Sequence, residues 1–251
     1  MVNSSLVDYK RISPNKSVPR NHEIDTITIH CMEGQLTAET CGEVFAEKNR
    51  CSSSNYGVGK DGRIGLYVEE KDRSWCSSNE ENDNRAITIE VASDRTHPYK
   101  VTDAAYKATI RLVADICKRN GIKKLIWSDD KNARINHLNG VNMTVHRDFD
   151  NKTCPGEYLY THMKDIAEQV NKLLNNSDGG SKPTNTYIVK VKNDILEVRK
   201  GPGNDYPVVT KVKKGDVYTI VKDTVKDNVK WGYLKSGVGW IGPTGTEINK
   251  K

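Results

Sequence analysis

The stretch Thr144-Val-His-Arg-Asp-Phe-Asp-Asn-Lys-Thr-Cys-Pro-Gly156 sets His146 and Cys154 on either side of a short polar loop, with Lys152 two residues before the cysteine. An imidazole and a thiolate are both ligands that zinc accepts, and an ammonium beside them suits a developing negative charge. The spacing between them is not one of the generic zinc patterns, so the third ligand, the base and a substrate-binding module must come from elsewhere in the chain. His30 is the matching candidate for a ligand. It closes Asp25-Thr-Ile-Thr-Ile-His30 as His146 closes Met143-Thr-Val-His146, so two strand ends could bring their imidazoles together. His22, His97, His137 and His162 carry no such argument. Glu90 ends Ala86-Ile-Thr-Ile-Glu90, where on its own it reads as a solvent-facing strand residue. Trp75 on its own reads as a core residue.

The six cysteines (31, 41, 51, 76, 117 and 154) include no CxxC pair, which argues against a zinc ribbon or a thioredoxin-type redox site. Most of them are expected to be reduced and buried, with Cys154 as the exception.

The elements that position these residues follow from periodicity. Residues 25–30 and 86–91 alternate or run β-branched and read as strands. Tyr56 to Val68 reads as a hairpin with a type I′ turn at Asp61-Gly62. Thr37 to Asn49 reads as a helix capped by Thr37. Thr102 to Asn120 is an amphipathic helix with Tyr106, Ile110, Val113 and Cys117 on one face and Gly121 closing it. A last helix from about Glu157 to Leu174 places Leu159, Met163, Ile166, Val170 and Leu173 on one stripe. Strands separated by helices predict an α/β domain over residues 1–174, a mixed central sheet flanked by helices.

Residues 175–186 are polar, glycine-bearing and aperiodic, the composition of a linker. Beyond them, short strands broken by Gly, Pro, Asn and Asp predict a small all-β barrel over 187–251, with strands at 187–191, 196–198, 208–212, 217–221, 231–234 and 240–241. The net charge of +6 is uneven. Residues 182–251 carry +7 and the rest −1, so the excess lies in the terminal module and suits an anionic polymer. Most of these cations are lysines, and the aromatic-plus-arginine platforms of nucleic-acid binders are missing, so no nucleic acid is expected. The segment Leu196-Glu-Val-Arg-Lys-Gly-Pro-Gly-Asn-Asp-Tyr-Pro-Val-Val, with Lys214-Gly-Asp, Trp231-Gly-Tyr-Leu and Gly239-Trp-Ile, resembles the bacterial SH3-like (SH3b) wall-binding family.

The first domain resembles the zinc-dependent N-acetylmuramoyl-L-alanine amidases of the type-2 amidase and peptidoglycan-recognition-protein group. Four ordered blocks carry the resemblance: Thr28-Ile-His30, Ser54-Asn-Tyr-Gly-Val-Gly-Lys-Asp-Gly62, Trp75 before Asn84-Arg-Ala-Ile-Thr-Ile-Glu90, and Val145-His-Arg-Asp with Lys152-Thr-Cys-Pro-Gly156. It implies one zinc ion held by His30, His146 and Cys154, with the fourth position open to water whose pKa the metal lowers to about 7. It implies Glu90 as proton shuttle, Tyr56 as its competitor for that role, Lys152 as oxyanion donor and Trp75 in substrate binding. Non-catalytic members of the group usually lack the cysteine. The run Cys76-Ser-Ser-Asn-Glu-Glu-Asn-Asp83 departs from the pattern of many members, so their peptide-stem specificity does not carry over.

Together these readings imply an endolysin of the phage type. It would cut the amide between N-acetylmuramic acid and L-alanine in a Gram-positive wall, with teichoic acid as a further partner of the basic module. A host autolysin of the same activity and a non-catalytic peptidoglycan-binding protein are the alternatives. The first residues lack a signal peptide, and no apolar run reaches the ~20 residues that span a bilayer, so synthesis in the cytoplasm, no membrane insertion and holin-dependent release are expected.

Overall fold

The computed structural model describes residues 2–178, 187–226, 229–242 and 246–249. The chain divides into two compact units, Met1–Asn176 and Ser177–Lys251.

The first unit holds eight strands: β1 (Tyr9–Lys10), β2 (Lys16–Ser17), β3 (Thr26–Cys31), β4 (Tyr56–Val58), β5 (Ile64–Leu66), β6 (Arg73–Ser74), β7 (Ala86–Val91) and β8 (Met143–Val145). Its helices are α1 (Ala38–Ala46), α2 (Glu80–Arg85), α3 (Asp103–Arg119), α4 (Lys131–Ile135) and α5 (Gly156–Asp178). Six strands form one mixed sheet in the order β1-β5-β4-β7-β3-β8, antiparallel only at β4–β5. β2 and β6 pair separately.

Register explains why this sheet can carry a site. Ile27 pairs with Ile87 and Met143, and Ile29 with Ile89 and Val145, so one face is apolar. That face joins Ile110, Val113 and Cys117 of α3 and Leu159, Met163, Ile166 and Val170 of α5 in one core. The other face alternates out of phase, as the two-residue period of a strand requires. It carries Thr28, Thr88 and Thr144 in one row, and His30 with Glu90 in the next. Thr28 and Thr144 share a hydrogen bond of 2.8 Å and both are held by Asn82 of α2, so the buried polar row is satisfied.

Several expectations change in detail. The hairpin does not turn on a two-residue type I′ loop. Its loop spans 59–63, Gly59 N donates to Arg63 O, and within it Gly62 alone (φ +83) is left-handed. A Cβ at Gly62 would stand 2.9 Å from the Ala104 carbonyl oxygen, so the start of α3 packs directly on the turn. The helix from Thr37, whose side chain caps Thr40 N, ends at Ala46. A separate 3-10 turn over Lys48–Arg50 follows it. α5 runs past the expected Leu174 through Asp178, and its stripe closes on buried Leu174 while Leu173 is exposed. The expected linker 175–186 therefore begins within this helix, and residues 179–186 lie outside the described residues.

The second unit is all-β: β9 (Tyr187–Val191), β10 (Ile195–Arg199), β11 (Val208–Lys213), β12 (Val217–Lys226), β13 (Val229–Leu234), β14 (Trp240–Ile241) and β15 (Thr246–Asn249). They pair antiparallel in the order β11-β10-β14-β13-β12-β9-β15. Val189, Val191, Val198, Val212, Ile220, Leu234 and Ile241 form its own core. No helix among the described residues is long and apolar enough to cross a membrane.

Candidate functional site

His30, the penultimate residue of β3, is fully buried. His146 begins a 3-10 turn immediately after β8, the neighbouring strand, so it follows the position that pairs with Ile29. The two rings meet edge to face with centroids 5.0 Å apart. Cys154 precedes α5, and its sulfur lies 3.5 Å from His30 Nδ1 and accepts from Cys31 N at 3.4 Å. The backbone couples the two ligand segments directly, because Arg147 N donates to Cys154 O. His30, His146 and Cys154 thus present donor atoms that all lie within 4.8 Å of one another.

These residues fit a zinc ion. Zinc–nitrogen and zinc–sulfur bonds place donors about 3.3–3.8 Å apart in a tetrahedral site, a range that includes the 3.5 Å between Cys154 Sγ and His30 Nδ1. Burial holds both imidazoles below the usual histidine pKa, for His30 with help from neighbouring His146, so both are neutral as ligation demands. Burial pushes the Cys154 thiol well up, and hydrogen bonding to Cys31 and the charge of Glu90 add to it. A thiol in that environment becomes a thiolate only beside a cation, and a divalent metal supplies one.

A set of supporting residues that sequence reasoning missed fixes His146. Ser78 Oγ lies 3.2 Å from His146 Nε2, which leaves Nδ1 for the donor cluster, and also bonds Asp150 Oδ2. Asp148 accepts from Val145 N at 3.0 Å and pairs with Arg134 through Nη2 (2.6 Å) and Nε (2.9 Å). Both side chains are buried, and the guanidinium lies 4.4 Å over the Trp127 ring. Their only sequence signal was the Arg-Asp that follows His146, with nothing to name a partner.

Around the cluster is a cleft of about 310 Å³ lined by residues including Glu33, Arg50, Trp75, Cys76, Glu90, His146, Lys152 and Cys154. Glu90 pairs with His30 across the ladder, on the same face. Burial, followed by nearby Cys31 and Glu33, raises its carboxyl well above the ordinary range. Its Oε2 has no hydrogen-bond partner among the described residues. Lys152 stands at the rim, 52% exposed, with its ammonium 3.8 Å from Asp150. Trp75 forms part of the wall, its indole N–H donating to Ser17 Oγ at 3.0 Å.

Tyr56 is not in this assembly. It pairs with Ile89, one residue out of phase with Glu90, and so belongs to the apolar face. Its hydroxyl donates to Glu70 at 2.6 Å and accepts from Ser4 N at 2.9 Å, with no exposed surface. Burial and Glu70 also push its pKa up, away from any proton-transfer role near neutrality. The expectation that Tyr56 competes with Glu90 is corrected on this geometry.

The N-acetylmuramoyl-L-alanine amidase family model matches residues 20–157, a span that takes in all three donors, Glu90 and Lys152. The chain belongs to that family. Solved structures with a similar fold include a mutant endolysin from Bacillus subtilis (14% identity, 65% of this chain and 99% of that one covered, TM-score 0.49). Others are the amidase LysC from Clostridium intestinale URNW (15%, 65% and 97%, 0.46) and the hydrolase AmiA from Staphylococcus aureus in complex with its ligand (18%, 73% and 89%, 0.49). No curated protein matched.

Proposed function

We propose that this peptidoglycan amidase is a zinc-dependent endolysin that cuts the bond between N-acetylmuramic acid and L-alanine in a Gram-positive wall. The observation that carries the reading is the meeting of His30, His146 and Cys154 at one sheet end, with Glu90 beside them and Lys152 at the rim. A zinc ion held by these three residues would supply Lewis acidity at the scissile carbonyl and an acidified water. Glu90, on the adjacent strand, takes the water's proton and returns it to the leaving nitrogen, for which a raised pKa is well matched. The Lys152 ammonium donates to the carbonyl oxygen as charge develops there. Trp75 offers its ring to the sugar or the peptide stem.

The second unit is read as an SH3-like wall anchor. Register aligns Lys222, Tyr233, Trp240 and Arg199 in one row across four strands, so they share a face. Tyr233 and Trp240 have centroids 5.1 Å apart, and Lys222 Nζ lies 5.8 Å from the Trp240 ring. Aromatic surface flanked by cations suits a phosphate-bearing sugar or polyol polymer such as teichoic acid. Catalytic unit plus anchor is the layout of an enzyme that must stay on its insoluble substrate, and it favours the endolysin reading.

The test is to digest purified Gram-positive walls with and without a chelator and to label the new termini. New L-alanine amino groups that disappear with the chelator are expected. Released reducing sugar in their place would overturn the amidase assignment.

A further inference from the structure

Cys76 has no part in the reaction just described, yet it lies in the same cleft, next to Trp75. His30, Cys76 and Glu90 present a second set of donor atoms, again all within 4.8 Å of one another. We propose that these three residues form a second, inhibitory site for a borderline or soft divalent cation such as Zn2+, sharing His30 with the catalytic donor set. Its effect on the rate rests on the function proposed above; the binding itself does not.

Two orphaned atoms mark the site. Among the described residues neither His30 Nε2 nor Glu90 Oε2, both buried, has a hydrogen-bond partner, although they belong to residues paired across one ladder. They do not bond each other, so a third body between them is what would satisfy both. The other ring nitrogen is already committed, since His30 Nδ1 stands 3.5 Å from Cys154 Sγ. The imidazole can therefore serve Cys154 and His146 through Nδ1, and Cys76 and Glu90 through Nε2. A water could bridge the two orphans, but it gains little from the sulfur, which is a poor hydrogen-bond partner and a strong ligand for zinc or cadmium. The mixed nitrogen, sulfur and oxygen set also excludes Mg2+ and Ca2+, which demand oxygen.

Binding is balanced by proton release. The Cys76 thiol, the Glu90 carboxyl and His30 Nε2 each give a proton to the buffer as they become ligands, and no electron moves. Once Glu90 coordinates a cation it no longer takes a proton from water, so hydrolysis stops. The rate should rise as the first equivalent of zinc fills the catalytic set and fall as the second binds.

The experiment takes the full metal-free chain through rising buffered Zn2+, counting bound metal and following hydrolysis of a soluble muramoyl peptide. Cys76→Ser and Cys154→Ser are run alongside. Wild type should gain a second equivalent as it loses activity, whereas Cys76→Ser should stop at one equivalent and escape inhibition. A second equivalent retained by Cys76→Ser, or a single one in wild type, overturns the inhibitory site and leaves the amidase reading standing. The opposite failure is separate: metal lost in Cys76→Ser but unaffected by Cys154→Ser would keep this site and remove the catalytic one. No metal in wild type removes both. Cadmium titration of the wild type avoids any folding defect in the variants, because the second equivalent must add thiolate-to-metal absorbance. If it adds none, Cys76 is not a ligand.

Discussion

Glu90 stands directly across the parallel ladder from His30, on the polar face of a sheet whose other side is packed with isoleucine. One register thus sets the distance between the proposed base and the proposed zinc ligand, and the rigidity of a central strand pair holds it.

Glu90→Gln keeps that geometry and removes the base. Hydrolysis of a soluble muramoyl peptide should fall about 10²–10⁴-fold while bound zinc is unchanged. The same substitution has a stability signature in the metal-free chain. Folded Glu90 holds its proton well above 4.5, whereas the unfolded residue has already lost it there. Between those two values the folded state binds more protons, so wild-type stability declines as pH rises. The glutamine variant lacks this term and should gain on wild type as pH rises above 4.5 in urea unfolding. A difference independent of pH would sink the raised carboxyl.

Much of this site was legible because strand alternation encodes a face. His30 and Glu90 end two runs of the form Thr-Ile, and their equal phase survives folding as a cross-strand pair. Tyr56 was misleading for the same reason in reverse. β4 has only three residues, too few to show a phase, and its place beside β7 is set by pairing that only the folded sheet defines. Ser78, Arg134 and Cys76 were out of reach because each acts through a partner distant in sequence. The capped helix from Thr102 was plain in the sequence, since its cap and apolar stripe are local.

Tyr56→Phe should leave hydrolysis unchanged and lower stability. Glu70 keeps its bonds from Arg119 and Asn120, but the buried Ser4 N loses the hydroxyl it donates to, at a cost of about 1–3 kcal/mol. Chemical unfolding beside the soluble-substrate assay separates the effects. Lost activity in a variant that keeps full stability would restore the tyrosine to the reaction.

Arg134→Met leaves the Asp148 carboxylate buried and unpaired, at a cost of about 3–5 kcal/mol. Because Asp148 holds Val145 N, next to His146, zinc should also dissociate faster than from wild type. Replacing the pair together, as Arg134→Met with Asp148→Asn, should recover part of the stability but not the slow zinc release. Equal zinc release rates in all three proteins would show that the pair supports the fold and not the ligand.

Lys152→Ala should lower kcat about 10²–10³-fold with a smaller change in KM, as expected when a donor acts on charge that appears only in the transition state. The exposed side chain makes a stability defect unnecessary to explain the loss. An effect confined to KM would reassign Lys152 to ground-state binding of the peptide stem.

Trp240→Ala and Lys222→Glu test the anchor independently of the chemistry. Both lie in the row that crosses β12, β13, β14 and β10, and neither belongs to the unit that carries the zinc donors. Arg199, at the end of the row, is partly compensated by its ion pair with Glu197, so Lys222 is the more telling charge to reverse. Sedimentation with purified walls should fall for both variants, while hydrolysis of a soluble muramoyl peptide stays at the wild-type rate. The lysine variant alone should lose the salt dependence of wall binding, since screening acts on charge and not on aromatic stacking. Walls stripped of phosphate polymers by acid should bind wild type as weakly as intact walls bind Lys222→Glu. If stripping leaves wild-type binding intact, the row recognises the glycan or peptide of the wall and not its phosphate.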